Sequence, residues 1–331
     1  MKICIATDAW HPLINGVVTT LSQTAEILRS WGHEVLLLTP QRFAAVPCPT
    51  YPEIRLSLVT PAPIRKQLTA FSPDAVHIAT EGPLGWSARN ACRTLGLPFT
   101  TSYHTRFPEY IRMRAPIPLG ISYAVIRKFH RPARQTMVAP TMIEELTAKD
   151  FPNLVLWSRG VDTELFKPNP PGTRKTDQPV FVYVGRVAPE KNLPAFLDLD
   201  LPGKKWVIGG GPSLDALRAR YPDTWFPGVK KGEDLATHLA AADVFVFPSL
   251  TDTFGVVLLE ALACGVPVAA FPVTGPSYMI REGENGALDT DLRAACLRAL
   301  TVSRSACRDF AAGYSWQVCT RQFLNNLAVV H

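Results

Sequence analysis

Two carboxylates separated by seven residues, Asp252 and Glu260, are the side chains in this chain best placed to do chemistry. They lie in the run Pro248-Ser249-Leu250-Thr251-Asp252-Thr253-Phe254-Gly255, which follows the apolar stretch Asp243-Val244-Phe245-Val246-Phe247 and leads into Val256-Val257-Leu258-Leu259-Glu260. A buried strand, a polar turn and a helix start are expected in that order. Thr253 or Asp252 is expected to cap the helix, leaving the amides near Phe254, Gly255 and Val256 without intrahelical partners. Free amides and the positive end of the helix dipole together attract an anion, and Gly255 lets a ligand approach the backbone. At ~1.5 Å rise per residue, Glu260 is expected roughly 8–10 Å along the axis from the cap, the reach of a ribose whose diphosphate sits at the helix start. A carboxylate inside an apolar run is costly without a partner, and two ribose hydroxyls would supply one.

Cations of the right kind occur on another predicted strand end. Gly185-Arg186 follows Val180-Phe181-Val182-Tyr183-Val184, and Pro189-Glu190-Lys191-Asn192 comes directly after. Arg186 and Lys191 on one turn can meet one diphosphate and stabilise the charge that grows on it as a bond to it breaks. Gly209-Gly210-Gly211-Pro212 ends the strand Lys205–Gly209, but position 214 is Leu214, so a dinucleotide fingerprint is incomplete. Tyr103-His104-Thr105 ends the strand Phe99–Tyr103, Glu81-Gly82-Pro83 ends Ala75–Ala79, and Asp8 ends Ile3–Ala6. Asp8, Glu81 and Tyr103 are therefore candidates for the acceptor side. Two Asp-x-Asp pairs, Asp198/Asp200 and Asp289/Asp291, read as solvated carboxylates, so no metal is expected.

The elements that must position these groups alternate strand and helix, the pattern of a parallel α/β sheet. One series runs from Ile3 to about residue 165, with strands including Glu34–Leu38 and helices over about 17–31 and 84–95. A second starts at Val180 and continues to about residue 308. Between them, residues 166–179 are rich in Pro, Gly and polar residues and read as a linker. Residues 309–331 read as a terminal helix. Two Rossmann-like halves place a ligand cleft at the C-terminal ends of their strands.

A chain of 331 residues with 47% hydrophobic and 19% charged residues is long and apolar enough for two folded domains. No apolar run approaches the ~20 residues of a membrane span, and the start reads as a strand rather than a signal peptide. Seven scattered cysteines without a Cys-x-x-Cys pair point to reduced thiols in a cytoplasm. The net charge of +6 is uneven, +5 before residue 166 and +1 after it. Much of the excess lies in 106–134, where Arg106, Arg112, Arg114, Arg127, Lys128, Arg131 and Arg134 alternate with aromatic and aliphatic residues and Glu109 is the single acid. That composition suits an anionic membrane surface, and no nucleic-acid reading motif accompanies it.

The Asp252–Glu260 stretch resembles the donor-site motif of family-4 retaining glycosyltransferases, enzymes of the GT-B fold. The family pattern is Glu, seven residues, Glu, and Asp252 is one methylene shorter than the first of these. Tyr103-His104-Thr105, Arg159-Gly160-Val161-Asp162, Gly185-Arg186 with Pro189-Glu190-Lys191, and Asp252 to Glu260 occur in family order over nearly the whole chain. The look is closest to the branch of sulfoquinovosyl and other glycolipid-forming transferases and bacterial α-mannosyltransferases, with the helix after Asn192 trimmed. The resemblance implies transfer of a hexosyl group from a UDP- or GDP-sugar to an acceptor hydroxyl, lipid or carbohydrate, with retention and without a metal or other cofactor. It gives the diphosphate to Arg186 and Lys191, the ribose to Glu260, and the sugar and distal phosphate to Asp252, Thr253, Phe254 and Gly255. The glycine turn with Gly209 and Gly211 falls beside the nucleotide. His104 and Gly16 approach from the other domain, His104 near the reacting carbon, and the terminal helix crosses back onto the first domain. A nucleotide-sugar epimerase of the same fold and a catalytically silent sugar-nucleotide binding protein remain alternatives.

Overall fold

The computed structural model describes residues 1–11, 16–48, 51–114, 117–170, 177–250 and 255–330. The chain divides into two compact units, Met1–Arg159 with Trp316–His331, and Gly160–Ser315.

In the first unit the strands are β1 (Lys2–Ala6), β2 (Glu34–Leu38), β3 (Ala45–Cys48), β4 (Tyr51–Ser57), β5 (Ala75–Ile78), β6 (Thr100–Tyr103), β7 (Thr136–Val138) and β8 (Leu154–Leu156). Six of them form one parallel sheet in the order β2-β1-β5-β6-β7-β8, while β3 and β4 pair antiparallel as a separate ribbon. Strand β1 is buried from Ile3 to Ala6 because helices cover both faces of a parallel sheet. The helix Gly16–Ser30 shows how it is covered. Val18, Leu21, Ala25 and Leu28 recur at helical spacing and are buried. The helix Trp316–Asn325 also belongs here. Trp316, Cys319 and Phe323 join Ile3, Ile5, Ala75 and Trp157 in one core cluster.

In the second unit the strands are β9 (Val180–Val184), β10 (Lys204–Ile208), β11 (Trp225–Gly228), β12 (Val244–Phe247), β13 (Val268–Ala270) and β14 (Gly286–Leu288). They form a parallel sheet in the order β11-β10-β9-β12-β13-β14. The chain adds strands on one side of β9 and then returns to β12 on the other, so the direction switches between β9 and β12. Ligands of open parallel sheets bind outside the strand ends at such a switch. Phe166, where composition suggests that a linker begins, is buried in this unit's core, and the Arg308 guanidinium donates to its carbonyl at 2.7 Å.

The sequence expectation of two parallel-sheet domains holds, with the strands it names in place. The passage between units falls at 159/160 and the return at 315/316. The tail is two helices, Arg304–Ala312 and Trp316–Asn325, assigned to different units. The helix after Asn192 is a single turn, Pro194–Leu197. Six cysteines, Cys4, Cys92, Cys264, Cys296, Cys307 and Cys319, are buried free thiols. Among the described residues no helix is long and apolar enough to cross a membrane.

Candidate functional site

The strand ends at the β9/β12 switch are knitted into one floor. The Gly185 amide donates to Ile208 O at 3.0 Å and the Val187 amide to Gly210 O at 2.9 Å, joining the loops after β9 and β10. Glycine is required for that approach. A Cβ on Gly209 would lie 1.8 Å from Gly185 O, and one on Gly211 would lie 2.3 Å from Val187 O. Gly209 and Gly211 are therefore committed first to packing two loops together. The Tyr183 hydroxyl donates to Arg186 O at 2.9 Å and fixes the turn that carries Arg186. The next turn, Pro189–Lys191, ends at Asn192, whose φ of 52° is left-handed. Asn tolerates that region better than most residues. Its Nδ2 donates to Pro248 O at 3.1 Å, so the Arg186–Lys191 loop is fastened to the end of β12.

Arg186 is exposed and meets Glu190 at 3.5 Å, while Lys191 is partly buried. At the end of β12, the Ser249 hydroxyl is fully buried and has no hydrogen-bond partner among the described residues. Asp252, Thr253 and Phe254 lie outside the described residues. The chain resumes at Gly255, the N-cap of the helix Val256–Ala263, with a φ of 63° and no side-chain cap. The helix thus starts later than the sequence suggests, with a left-handed glycine where Thr253 or Asp252 was expected. Glu260 is then four residues past the first helical residue, roughly 6 Å along the axis rather than 8–10 Å. Around it Leu258, Leu259, Ala261, Leu262 and Ala263 are buried. The Glu260 carboxyl has no hydrogen-bond or ion-pair partner among the described residues, and burial pushes its pKa up to about 7. A half-desolvated carboxyl with both oxygens free is poised to accept hydroxyl donors.

The candidates of the first unit sit differently. Asp8 accepts from the amides of Leu84 (2.8 Å) and Gly85 (3.0 Å) and from the Thr80 hydroxyl (2.9 Å). It caps the helix Pro83–Leu95, whose own N-cap, Gly82, has no side chain. Burial raises the Asp8 pKa and these three bonds oppose the rise. Glu81 is buried against His130, Oε1 to Nε2 at 3.2 Å. Tyr103 is 1% exposed, its ring 5.6 Å from that of Phe151. All three acceptor-side candidates are thus turned to interior work. His104 stands just past β6 with Nε2 at 2.8 Å from Ser102 Oγ and Nδ1 at 3.1 Å from the Arg159 guanidinium. Desolvation, and then the charge of Arg159, hold its pKa well below the ordinary imidazole value, so the ring is neutral. Gly16 opens its helix in open space.

Both Asp-x-Asp pairs have structural work. Asp198 accepts from the Tyr221 hydroxyl at 2.6 Å, Asp289 accepts from Arg298 at 2.8 Å, and Asp291 caps the helix Leu292–Ala299. Sequence reasoning missed Asn192 and Ser249 as parts of the floor. The Asn after a Pro-Glu-Lys turn was the available signal for the first; nothing marked the second.

Comparison with known proteins follows the division into units. Residues 14–165 match the family described as Glycosyltransferase Family 4, and residues 178–301 match Glycosyl transferases group 1. A GDP-mannose-dependent alpha-mannosyltransferase of Mycobacterium tuberculosis is 30% identical over 87% of this chain and 83% of its own length. The sulfoquinovosyl transferase SQD2 of Arabidopsis thaliana is 30% identical over 94% of this chain and 70% of its own. Among solved structures, HepE of Anabaena in complex with UDP superposes with a TM-score of 0.70 at 17% identity, covering 98% of this chain and 99% of its own.

Proposed function

This chain belongs to glycosyltransferase family 4 and has the GT-B fold, and on that footing we propose that it moves a hexosyl group from a nucleotide-diphospho-sugar to an acceptor hydroxyl with retention of configuration. The observation that carries this reading is Glu260, a carboxyl without a partner among the described residues, in an apolar helix at the switch point of a parallel sheet. It accepts the ribose hydroxyls of the donor. Arg186 and Lys191, on the loop tied to Pro248, take the diphosphate. As the sugar–phosphate bond breaks, the electron pair goes to the leaving phosphate oxygen, and fixed cations there lower the barrier by several kcal/mol. Asp252, Thr253, Phe254 and the amides that follow hold the sugar and distal phosphate. The acceptor attacks on the face the leaving group vacates, and the departing phosphate takes its proton. No metal is required, because the two cations already neutralise the diphosphate; turnover unchanged by a chelator is the expected result.

The mycobacterial and plant relatives are named for GDP-mannose and for sulfoquinovosyl transfer, which puts GDP-mannose first among the donors to test. A lipid acceptor fits the helix Leu119–His130, where Ile121 (58% exposed) and Val125 (49%) lie one turn apart on the surface near Arg127, Lys128 and Arg131. That face dips into anionic headgroups at the cytoplasmic side of a membrane. A thermal-shift panel of GDP-, UDP- and ADP-sugars, followed by transfer assays with the stabilising donor, tests the core of the reading. Stabilisation by none of them, with no transfer, would remove it.

A further inference from the structure

The motif Arg159-Gly160-Val161-Asp162 has no part in the donor seat just described. Most of it is accounted for structurally within the second unit. The Asp162 carboxylate accepts from the amides of Glu164 (3.0 Å) and Leu165 (2.9 Å), and the Val161 amide donates to Tyr314 O at 2.8 Å. Arg159, the last residue of the first unit's long segment, does none of this.

The backbone that launches Arg159 is firmly held. The Trp157 indole donates to Cys319 O at 3.2 Å, and the amide and hydroxyl of Ser158 donate to Gln322 Oε1 at 3.0 and 2.9 Å. The Arg159 residue is only 9% exposed. Among the described residues its single hydrogen bond goes to His104 Nδ1, and no carboxylate lies within ion-pair distance. Its other ionisable neighbour is the Cys319 thiol, which burial keeps protonated by raising its pKa to about 11. A guanidinium cannot escape burial by shedding its proton, and a buried charge without a counter-charge is expensive. A purely structural position would have no reason to keep it.

The polarity of the hydrogen bonds is fixed. A guanidinium only donates, so His104 Nδ1 is the unprotonated nitrogen and Nε2–H donates to Ser102 Oγ, which donates in turn to Ala79 O at 3.2 Å. The imidazole is thereby a neutral acceptor that aims the guanidinium. Two ring nitrogens with partners inside the first unit also leave His104 no free base.

We propose that Arg159 is an oxyanion seat of the first unit, held by His104, and that it takes a phosphoryl group. The choice of phosphoryl rests on the transferase reading above, in which a donor diphosphate and a phospholipid acceptor each bring one; the planar fork suits either.

The test uses the full-length protein with nitrogen-15 in arginine and histidine, titrated with inorganic phosphate. Signals of the Arg159 guanidinium and of His104 Nε2–H shift in the native protein and equally in an Arg186→Gln/Lys191→Gln double variant. In Arg159→Met the phosphate affinity falls by about tenfold or more, while the melting temperature stays level or rises because an unpaired charge has gone. Arg159→Lys recovers part of the phosphate response. The proposal is overturned by absence of any shift, by a shift that vanishes in the double variant, or by an Arg159→Met protein that melts several degrees lower. A response to glycerol phosphate but not to GDP assigns the seat to the acceptor; the reverse assigns it to the donor. If no donor sugar is ever transferred yet the phosphate shift persists, the transferase reading fails and the seat stands.

Discussion

The two units are built on the same plan, a six-stranded parallel sheet with helices on its faces, yet they treat polar groups at their strand ends in opposite ways. In the first, Asp8 is spent on three hydrogen bonds, Glu81 on His130, and His104 on Ser102 and Arg159. In the second, among the described residues, the Glu260 carboxyl has no partner, Ser249 has an unmet hydroxyl, and the exposed Arg186 meets Glu190. Satisfied groups stiffen a scaffold, and unsatisfied ones are a standing cost that a ligand can remove. The contrast marks the second unit as the one whose strand ends wait for a ligand, with Arg159 and the buried, unmet hydroxyl of Tyr103 as exceptions in the first.

The largest effect that could break this contrast is on turnover. Lys191→Ala or Arg186→Ala should lower it by about a hundredfold to a thousandfold, with unchanged melting; activity near the native level would show that these cations are surface charges. Next comes Glu260→Gln. The folded-state pKa of Glu260, about 7, lies above its ordinary 4.5, so the folded chain holds that proton more tightly than the unfolded chain does. Its contribution to stability is therefore largest at low pH and falls as pH rises from 4.5 to 7. Replacing it with Gln should stabilise the second unit by up to about 3 kcal/mol at pH 8 and by almost nothing at pH 4, read from denaturant melts across pH. The same variant should lose donor affinity, and an equal stabilisation at both pH values would refute the titration.

Asp8→Asn should act in the opposite sense, destabilising the first unit by about 2 kcal/mol through lost amide and hydroxyl bonds while donor binding in the second is unchanged. A loss of donor affinity without a stability change would move Asp8 from scaffold to site. The smallest effect is expected at Ile121→Ser, within about 0.5 kcal/mol of native stability, with weaker sedimentation on phosphatidylglycerol vesicles as its signature.

Much of the fold could be read from the chain because its central strands are unbroken apolar runs, as in Val244-Phe245-Val246-Phe247. The strands that escaped are the three-residue β7, β8 and β14, too short to show a period, β11, where Pro227-Gly228 reads as a turn, and β3 and β4, whose Pro47 and Pro52 argue against strands. At the site, residue types and spacing pointed to Arg186, Lys191 and Glu260. What the chain could not reveal is who answers whom across it. Asp8 meets Leu84 and Gly85, Glu81 meets His130, and Arg159 meets His104, each over dozens of residues. The helix start was misplaced for a local reason. Thr and Asp are the usual caps, but Gly255 alone tolerates the left-handed turn that opens Val256–Ala263.

The helix Trp316–Asn325 closes a core that β1 and β5 begin, with the Phe323 ring 4.9 Å from His77 and 5.0 Å from Trp157. During synthesis the whole of Gly160–Ser315 therefore leaves the ribosome before the last piece of the earlier-made unit does. The later half can reach its final form first, while the earlier half waits with one face of its sheet uncovered. A stalled or nicked chain ending near residue 315 would keep a sound second unit and a sticky, unfinished first one, an invitation to chaperones and proteases.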